Sequence, residues 1–249
     1  MKSNLRIIEI GIIGYGQFGA FVKQIITENY PDIVVKISSR SNQVDNINFF
    51  EFEEVCQTDL IIPCVPISKF QETVERIKSS LKNKKNPIIL EICTVKEYPL
   101  KILKEFPELK YISTHPMFGP NSYHKQNNKL NGLRMVICDH NLNKTEYSKI
   151  LDQLQKLCLN IINISPEKHD KKLAKTLFLT HLISQTIIRG NFERTEIDTL
   201  SFSFLMDAVE SLKNDQELFK EVYRYNPYCK EVVGNLSANL LKIAKEIDK

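Results

Sequence analysis

Hydrophobic positions along the chain follow two different regimes. Up to about residue 165, short apolar runs alternate with amphipathic stretches. The run from Arg6 to Ile13, rich in isoleucine, suits a strand buried on both faces. Further strand-like runs are 32–40 (DIVVKISSR), 59–66 (DLIIPCVP), 86–93 (NPIILEIC), 109–114 (LKYIST) and 133–139 (LRMVICD). Between them, Phe18, Phe21, Val22, Ile25 and Ile26 recur at helical intervals, and the stretches Lys69–Leu81 and Lys144–Leu157 also read as helices. Strands alternating with helices predict an α/β, doubly wound and mostly parallel sheet.

From Pro166 the strand signals end. A long helix is expected from Pro166, which suits a first turn, through Glu167 at the positive end of the dipole to Gly190 near its close. Helices are also expected over Ile197–Leu212 and Asp215–Tyr225, with a final amphipathic helix within 226–249 despite the interior Gly234. The boundaries are therefore a dinucleotide-binding domain over 1–165 and an all-helical domain over 166–249. Leu177, Leu179, Leu182, Ile183, Ile187 and Ile188 exceed the needs of one amphipathic face. Burial against a second subunit and burial within one large helical domain both account for the excess.

The glycines sharpen this picture. Gly14, Gly16 and Gly19 stand in G-x-G-x-x-G spacing between the first strand and an amphipathic helix. Gly14 permits a tight turn, Gly16 lets backbone amides approach a pyrophosphate, and Gly19 lets the helix pack closely on the strand. That context predicts a Rossmann-type dinucleotide site. It is built from Gly14, Tyr15, Gly16, Gln17, Phe18 and Gly19, with Val65 and Pro66 after the third strand. An NAD-binding chain usually carries an acid at the end of the second strand for the ribose 2′-hydroxyl. Here that end reads Ser38, Ser39, Arg40, Ser41, with no acid before Asp45. A guanidinium among hydroxyls suits a 2′-phosphate, so NADP is expected in preference to NAD; an Arg40 that is merely exposed, with loose selectivity, is the competing reading. Three strand ends should open on the cofactor crevice: Val65-Pro66-Ile67-Ser68, Cys93-Thr94-Val95-Lys96 and Thr114-His115-Pro116-Met117.

Composition excludes several classes. The chain has 249 residues, 42% hydrophobic and 26% charged, and its 34 Lys+Arg against 30 Asp+Glu are interspersed. The short basic stretch 82–85 (KNKK) reads as a solvated loop, not a nucleic-acid stripe. No apolar run approaches membrane-span length, and residues 1–5 are too few for a targeting peptide, so a cytoplasmic protein is expected. The cysteines Cys56, Cys64, Cys93, Cys138, Cys158 and Cys229 form no C-x-x-C pair and read as buried free thiols, with no metal site expected. The sequons at Asn143 and Asn235 carry no weight in such a protein.

Taken in order, GIIGYGQFG, SSRS, CVPISKF, EICTVK, STHPMFGP, KHDKKLAKTLFLTHL and YRYNP make the chain resemble the arogenate and prephenate dehydrogenases of tyrosine biosynthesis. SSRS and LFKEVYRYNP look most like the plant-type, NADP-using arogenate enzymes. The resemblance implies oxidative decarboxylation of a cyclohexadienyl substrate, arogenate or prephenate, to tyrosine or 4-hydroxyphenylpyruvate. His115 matches the family's catalytic histidine. Thr94 falls where the family usually has a serine that bonds the same substrate hydroxyl; threonine keeps the hydroxyl, but its methyl narrows the pocket. His169-Asp170 matches the family's HD, and His181 a histidine that faces the active site. Twelve regular helical residues rotate His181 about 120° from His169. His181, Met117 and Lys172 are the expected substrate contacts, and the helical domain is the expected homodimer contact. No arginine stands in FLMDAVESLKND, where prephenate-specific relatives place one. Lys172, Arg189 or a partner subunit could then supply the cation for a substrate carboxylate. A β-hydroxyacid or imine oxidoreductase shares the architecture, with Lys171, Lys172 or Lys175 as the catalytic amine. A binding protein without turnover is the third reading, resting on Glu91 and Thr94 in place of the commoner Asp and Ser.

Overall fold

A computed structural model describes residues 7–81 and 86–248. Arg6, residues 1–5 and the basic stretch 82–85 lie outside the described residues, as does Lys249 at the end of the expected last helix. The chain divides into two compact units, Met1–Pro166 and Glu167–Lys249.

In the first unit the elements run β1 (Glu9–Ile13), α1 (Gln17–Asn29), β2 (Val34–Ser38), α2 (Phe52–Val55), β3 (Leu60–Pro63), α3 (Phe70–Ser80), β4 (Ile88–Glu91), α4 (Glu97–Lys104), β5 (Lys110–Pro116), α5 (Pro120–Lys125), β6 (Arg134–His140), α6 (Lys144–Lys156) and β7 (Asn160–Asn163). The strands form one seven-stranded sheet in the order β2-β1-β3-β4-β5-β6-β7. All neighbours are parallel except β5 and β6, which are antiparallel. Chain order reverses between β1 and β3, and right-handed crossovers then send α1 to one face and α3 and α4 to the other. Ligands of such sheets gather where that reversal leaves a crevice beyond the strand ends.

The isoleucines of the central strands are withdrawn from water because both faces are covered: Ile12, Ile61, Ile89 and Ile112 are fully buried. Each isoleucine withdrawn from water contributes about 1.5–3 kcal/mol. On one face Ile10, Ile12, Leu60 and Ile62 pack with Phe21 and Ile26 of α1 and with Ile150 and Leu154 of α6. The expected strands are present; β1 to β4 are shorter than their apolar runs, whereas β5 runs on to Pro116 and β6 is shifted by one residue. The second ends at Ser38, which leaves Arg40 in a turn. The helix expected from Lys69 is a 3₁₀ turn, Ile67–Lys69, that continues into α3. The short helices α2, α4 and α5 and the strand β7 were not expected; NIIN offers only two apolar residues to a run-based reading. Cys56, Cys93 and Cys229 are buried as expected, but Cys158 is exposed, in a positive-φ turn.

α6 opens with a complete capping box. The Asn143 side chain accepts from the N–H groups of Thr145 and Glu146, and the Glu146 carboxylate accepts from the Asn143 N–H. Glu146 is also paired to Lys110 at 2.5 Å, which ties the helix start to β5.

The second unit is helical: α7 (Pro166–Leu173), whose first residue closes the first unit, then a π-helical segment Ala174–Phe178, α8 (Leu179–Arg189), α9 (Leu200–Ser211), α10 (Gln216–Tyr225) and α11 (Cys229–Ile247). The long helix expected from Pro166 is thus interrupted by a π-helical segment at Ala174–Phe178. The last helix starts only at Cys229, because Asn226-Pro227-Tyr228 make a turn: the Asn226 side chain accepts from the Tyr228 N–H. Among the described residues no helix is long and apolar enough to cross a membrane.

Replacing Asn143 with alanine removes the acceptor for two helix-start amides. Stability should fall by about 1 kcal/mol in urea titration; an unchanged midpoint would contradict the capping role.

Candidate active site

The three motif glycines meet three different constraints. Gly14 has φ +97°, and a Cβ there would lie 2.3 Å from the carbonyl oxygen of Cys64, just beyond β3. A Cβ on Gly19 would lie 2.2 Å from the carbonyl oxygen of Gly14, so the helix could not seat on its own loop. Gly16 is the N-cap of α1, and a Cβ there meets nothing within 4 Å. Two glycines are therefore needed for packing, and the third keeps open the approach to a helix N-terminus. The first-turn amides of α1 have no acceptor within the helix, and this is the arrangement that binds phosphate. The residues present fit a dinucleotide.

The side chains around this loop divide by role. Tyr15 meets Phe49 edge-on at 5.3 Å. Gln17 is exposed, whereas Phe18 is half-buried and packs edge-on against Phe21 at 5.9 Å. Val65 lies beside Gly14, its Cγ1 being 3.3 Å from where a Gly14 Cβ would stand, and Pro66 is exposed. At the end of β2 the Ser38 carbonyl accepts from the Gly14 N–H at 2.8 Å, which joins the two loops. Ser39 Oγ lies 3.0 Å from Ser41 Oγ and donates to Asn42 Oδ1 at 2.9 Å; Arg40 and Ser41 are exposed. The nearest following acid, Asp45, is committed elsewhere. Its Oδ1 accepts from the N–H groups of Ile47, Asn48 and Phe49 at 2.8–2.9 Å, and those bonds hold the carboxyl below its ordinary pKa.

Further along the same edge of the sheet stand the ends of β4 and β5, where Glu91 pairs with Ser113 in parallel register. His115 lies two residues beyond, within β5, and is 5% exposed. Beside it the β5–β6 ladder slips: Ser113 faces Asp139 but Thr114 faces Ile137, and Cys138 is the extra residue. Bulges of this kind re-aim side chains near functional sites. Thr94, half-buried, lies on the loop between β4 and α4. Met117, 38% exposed, follows β5 and donates its N–H to the Arg134 carbonyl at 2.9 Å.

A polar cluster under this rim went unassigned in the sequence. Glu91, Lys96, Ser113 and Thr114 are each fully buried. The Lys96 ammonium donates to Glu91 Oε2 at 2.6 Å and to the Thr114 carbonyl at 2.5 Å. Ser113 Oγ donates to the same Oε2 at 2.6 Å, and the Cys93 N–H donates to Oε1 at 2.6 Å. EICTVK contained the signal only as an acid and a base five residues apart around a loop, a spacing that usually marks a solvated pair.

The second unit carries the other candidates. His169 is buried, with Nδ1 2.8 Å from Asp170 Oδ1, and the Asn226 amide donates to the Asp170 carbonyl at 2.9 Å. The HD and YRYNP motifs therefore meet. His181 is 3% exposed and stacks on Phe219, which also stacks on Phe178. Burial lowers the His181 pKa, against the opposing charge of Asp215. A π segment takes up one extra residue, so the twelve steps from His169 to His181 advance the helix as about eleven would, a net rotation of about 20°. The 120° separation expected of a regular helix is thereby corrected. Lys172 is exposed, and Lys171 is paired with Glu167 and lies over the Tyr228 ring. Arg194 is held by Asp207 and Glu210 at 2.6 and 2.7 Å.

A cavity of about 740 Å³ in the first unit lies between α1, α6 and the sheet; Gly14, Gly16 and His115 are not among its walls. Its lining is mainly core side chains, so the chemistry is read from the strand ends instead. Among the described residues no group of three or more His, Cys, Asp or Glu side chains could hold a metal ion.

Comparison with known proteins gives a consistent result. The family model described as prephenate dehydrogenase, nucleotide-binding domain, matches residues 21–162. Arogenate dehydrogenase 2, chloroplastic, of Arabidopsis thaliana is 27% identical over 256 residues, covering 96% of this chain and 70% of that protein. Cyclohexadienyl dehydrogenase of Zymomonas mobilis is 25% identical over 263 residues, covering 96% and 88%. Among solved structures, prephenate dehydrogenase from A. aeolicus in complex with hydroxyphenyl propionate and NAD+ superposes with a TM-score of 0.71 at 13% identity, covering 99% of this chain and 94% of that one.

The glycine geometry separates folding from binding. Gly16→Ala should melt like the parent yet bind dinucleotide at least ~10-fold more weakly in fluorescence titration. Gly19→Ala should lower the melting temperature itself. Equal affinity in Gly16→Ala would rule out the loop as the phosphate site.

Proposed function

We propose that this chain, which belongs to the prephenate dehydrogenase family, oxidatively decarboxylates arogenate and uses NADP in preference to NAD. A pyridine-nucleotide dehydrogenase acting on a small molecule is the common ground of its relatives. The observation that supports the dehydrogenase chemistry is His115 at the rim of the parallel sheet, on the edge where the glycine loop opens.

The chemistry asks little of the protein, but asks it in one place. When bound, the dinucleotide supplies the hydride acceptor. As hydride leaves the ring carbon that bears the hydroxyl, the hydroxyl proton must go to a base, or charge builds on that oxygen. A neutral imidazole at His115 accepts it. Thr94 supplies a hydroxyl to orient the same oxygen. The ring carboxylate then departs as carbon dioxide, its bonding pair completes the aromatic ring, and the oxygen recovers a proton to become the phenol. The products are tyrosine, carbon dioxide and reduced cofactor.

Cofactor preference follows from the end of β2. Asp45, the nearest acid in sequence, is engaged by three backbone amides of its own loop. The exposed Arg40, flanked by Ser39 and Ser41, is left as the group that meets the ribose substituent. For arogenate over prephenate, the support is the absence of arginine from α9 and the commitment of Arg194 to Asp207 and Glu210. His181, Met117 and Lys172 are the substrate contacts we propose. The helical unit is proposed to form a homodimer: Ile197 (84%), Leu200 (71%) and Phe204 (66%) are more exposed than apolar side chains of a lone unit should be.

A panel of arogenate, prephenate and a small β-hydroxyacid, each with NADP, should give reduced cofactor with arogenate foremost. Product with the hydroxyacid alone, or cofactor binding with no product, would replace this reading. In the same assay Arg40→Ala should raise the KM for NADP about 10- to 100-fold, the loss of a charge-assisted phosphate contact, and leave that for NAD unchanged. Equal effects on both cofactors would remove Arg40 from the site.

A further inference from the structure

We infer that Lys96 and Glu91 are positioning residues for the reaction: their buried ion pair sets the spacing between His115 and Thr94. The inference rests on the proposed roles of those two side chains, but its physical basis does not. Thr94 lies on the six-residue path from Glu91 to Lys96, and the pair closes that path at 2.6 Å. The Cys93 N–H is held by the other oxygen of the same carboxylate, one residue before Thr94. The loop is thus fixed at both ends and near its middle.

The same two side chains reach across to β5. The Lys96 ammonium takes the carbonyl of Thr114, whose peptide bond leads directly into His115. Glu91 Oε2 accepts from Ser113 Oγ, and the Glu91 carbonyl accepts from Thr114 Oγ1 at 2.9 Å. These contacts fall at the slip in the β5–β6 ladder, where the regular pairing on the other side of β5 changes register. With β6 bulging there at Cys138, the bonds from Glu91 and Lys96 give β5 a second restraint that keeps the next side chain in one place.

Burial makes the restraint stiff. Both charged groups are fully withdrawn from water, so neither can exchange its partner for solvent without leaving a bare charge inside the protein. Burying two charges is a poor way to gain stability alone, since apolar replacements of equal volume usually do as well. Lys96 is also the N-cap of α4, where the helix-start amides need an acceptor that an ammonium cannot offer, so its side chain has no part in the cap and turns to Glu91 and the Thr114 carbonyl. A pair that joins the two segments bearing the proposed proton acceptor and its hydroxyl partner is explained by position.

The test uses full-length Lys96→Met and, because a lone buried Glu91 carboxylate can unfold that variant, the neutral double substitution Glu91→Gln with Lys96→Met. Histidine-labelled protein is examined by NMR, the His115 signal being identified by its loss in His115→Asn. Turnover with arogenate and NADP, and NADP affinity, are measured alongside. We expect the double variant to bind NADP within about twofold of the parent, to show a displaced His115 signal, and to lose kcat by roughly 10- to 100-fold, as small misplacements of catalytic groups do. An unmoved His115 signal, or kcat within twofold of the parent, would overturn the inference. A displaced signal in a protein whose parent form turns over none of the substrates would support the positioning role while removing the proposed function.

Discussion

A buried ammonium shared between a carboxylate and a backbone carbonyl holds together the part of this molecule where chemistry is proposed. Lys96 sits between Glu91 at the end of β4 and Thr114 near the end of β5. Parallel strands are bonded to each other along their length, but beyond their ends the chain has no ladder to keep it in place. In this chain the Glu91–Lys96 pair takes over where the β4–β5 ladder stops. Without it, the loop bearing Thr94 and the strand bearing His115 would each be free to relax by the ångström that separates a productive hydrogen bond from none.

At the other side of the crevice the restraint is steric. Gly14 and Gly19 let the start of α1, the end of β1 and the residues after β3 approach more closely than any Cβ allows. Of the three motif glycines, only Gly16 has free space in front of it. A rigid, narrow glycine turn after β1 and a polar staple at the ends of β4 and β5 thus hold two points along one sheet edge, and the proposed cofactor preference rests on the outer strand, at the end of β2. There the carboxylate that could have read a ribose hydroxyl is turned inward on its own loop, and a guanidinium faces water.

Much of this was legible in the sequence because it depends on local patterns. Isoleucine-rich runs announced the buried strands, and the glycine spacing announced the turn. The Pro116 and Gly119-Pro120 breaks marked the strand exit after His115. What escaped was non-local. A lysine and a glutamate five residues apart carry no mark of burial, and only the fold shows them with no exposure to solvent. β7 has two apolar residues between asparagines and gains its pairing from β6. The π segment has no composition that separates it from α-helix, so the rotation between His169 and His181 could not be counted from spacing alone. The exposed apolar positions of α9 and α11 are visible in the sequence, but not the fact that the unit leaves them uncovered.

The account stands on His115 as the group that takes the hydroxyl proton while hydride leaves. The most direct measurement compares the parent protein with His115→Asn, following reduced cofactor and labelled carbon dioxide released from the ring carboxylate of arogenate. The parent should form the two in equal amounts. The variant, still folded and still binding NADP, should lose both together by about 10²- to 10⁴-fold. A folded His115→Asn protein that releases both at the parental rate would contradict the account.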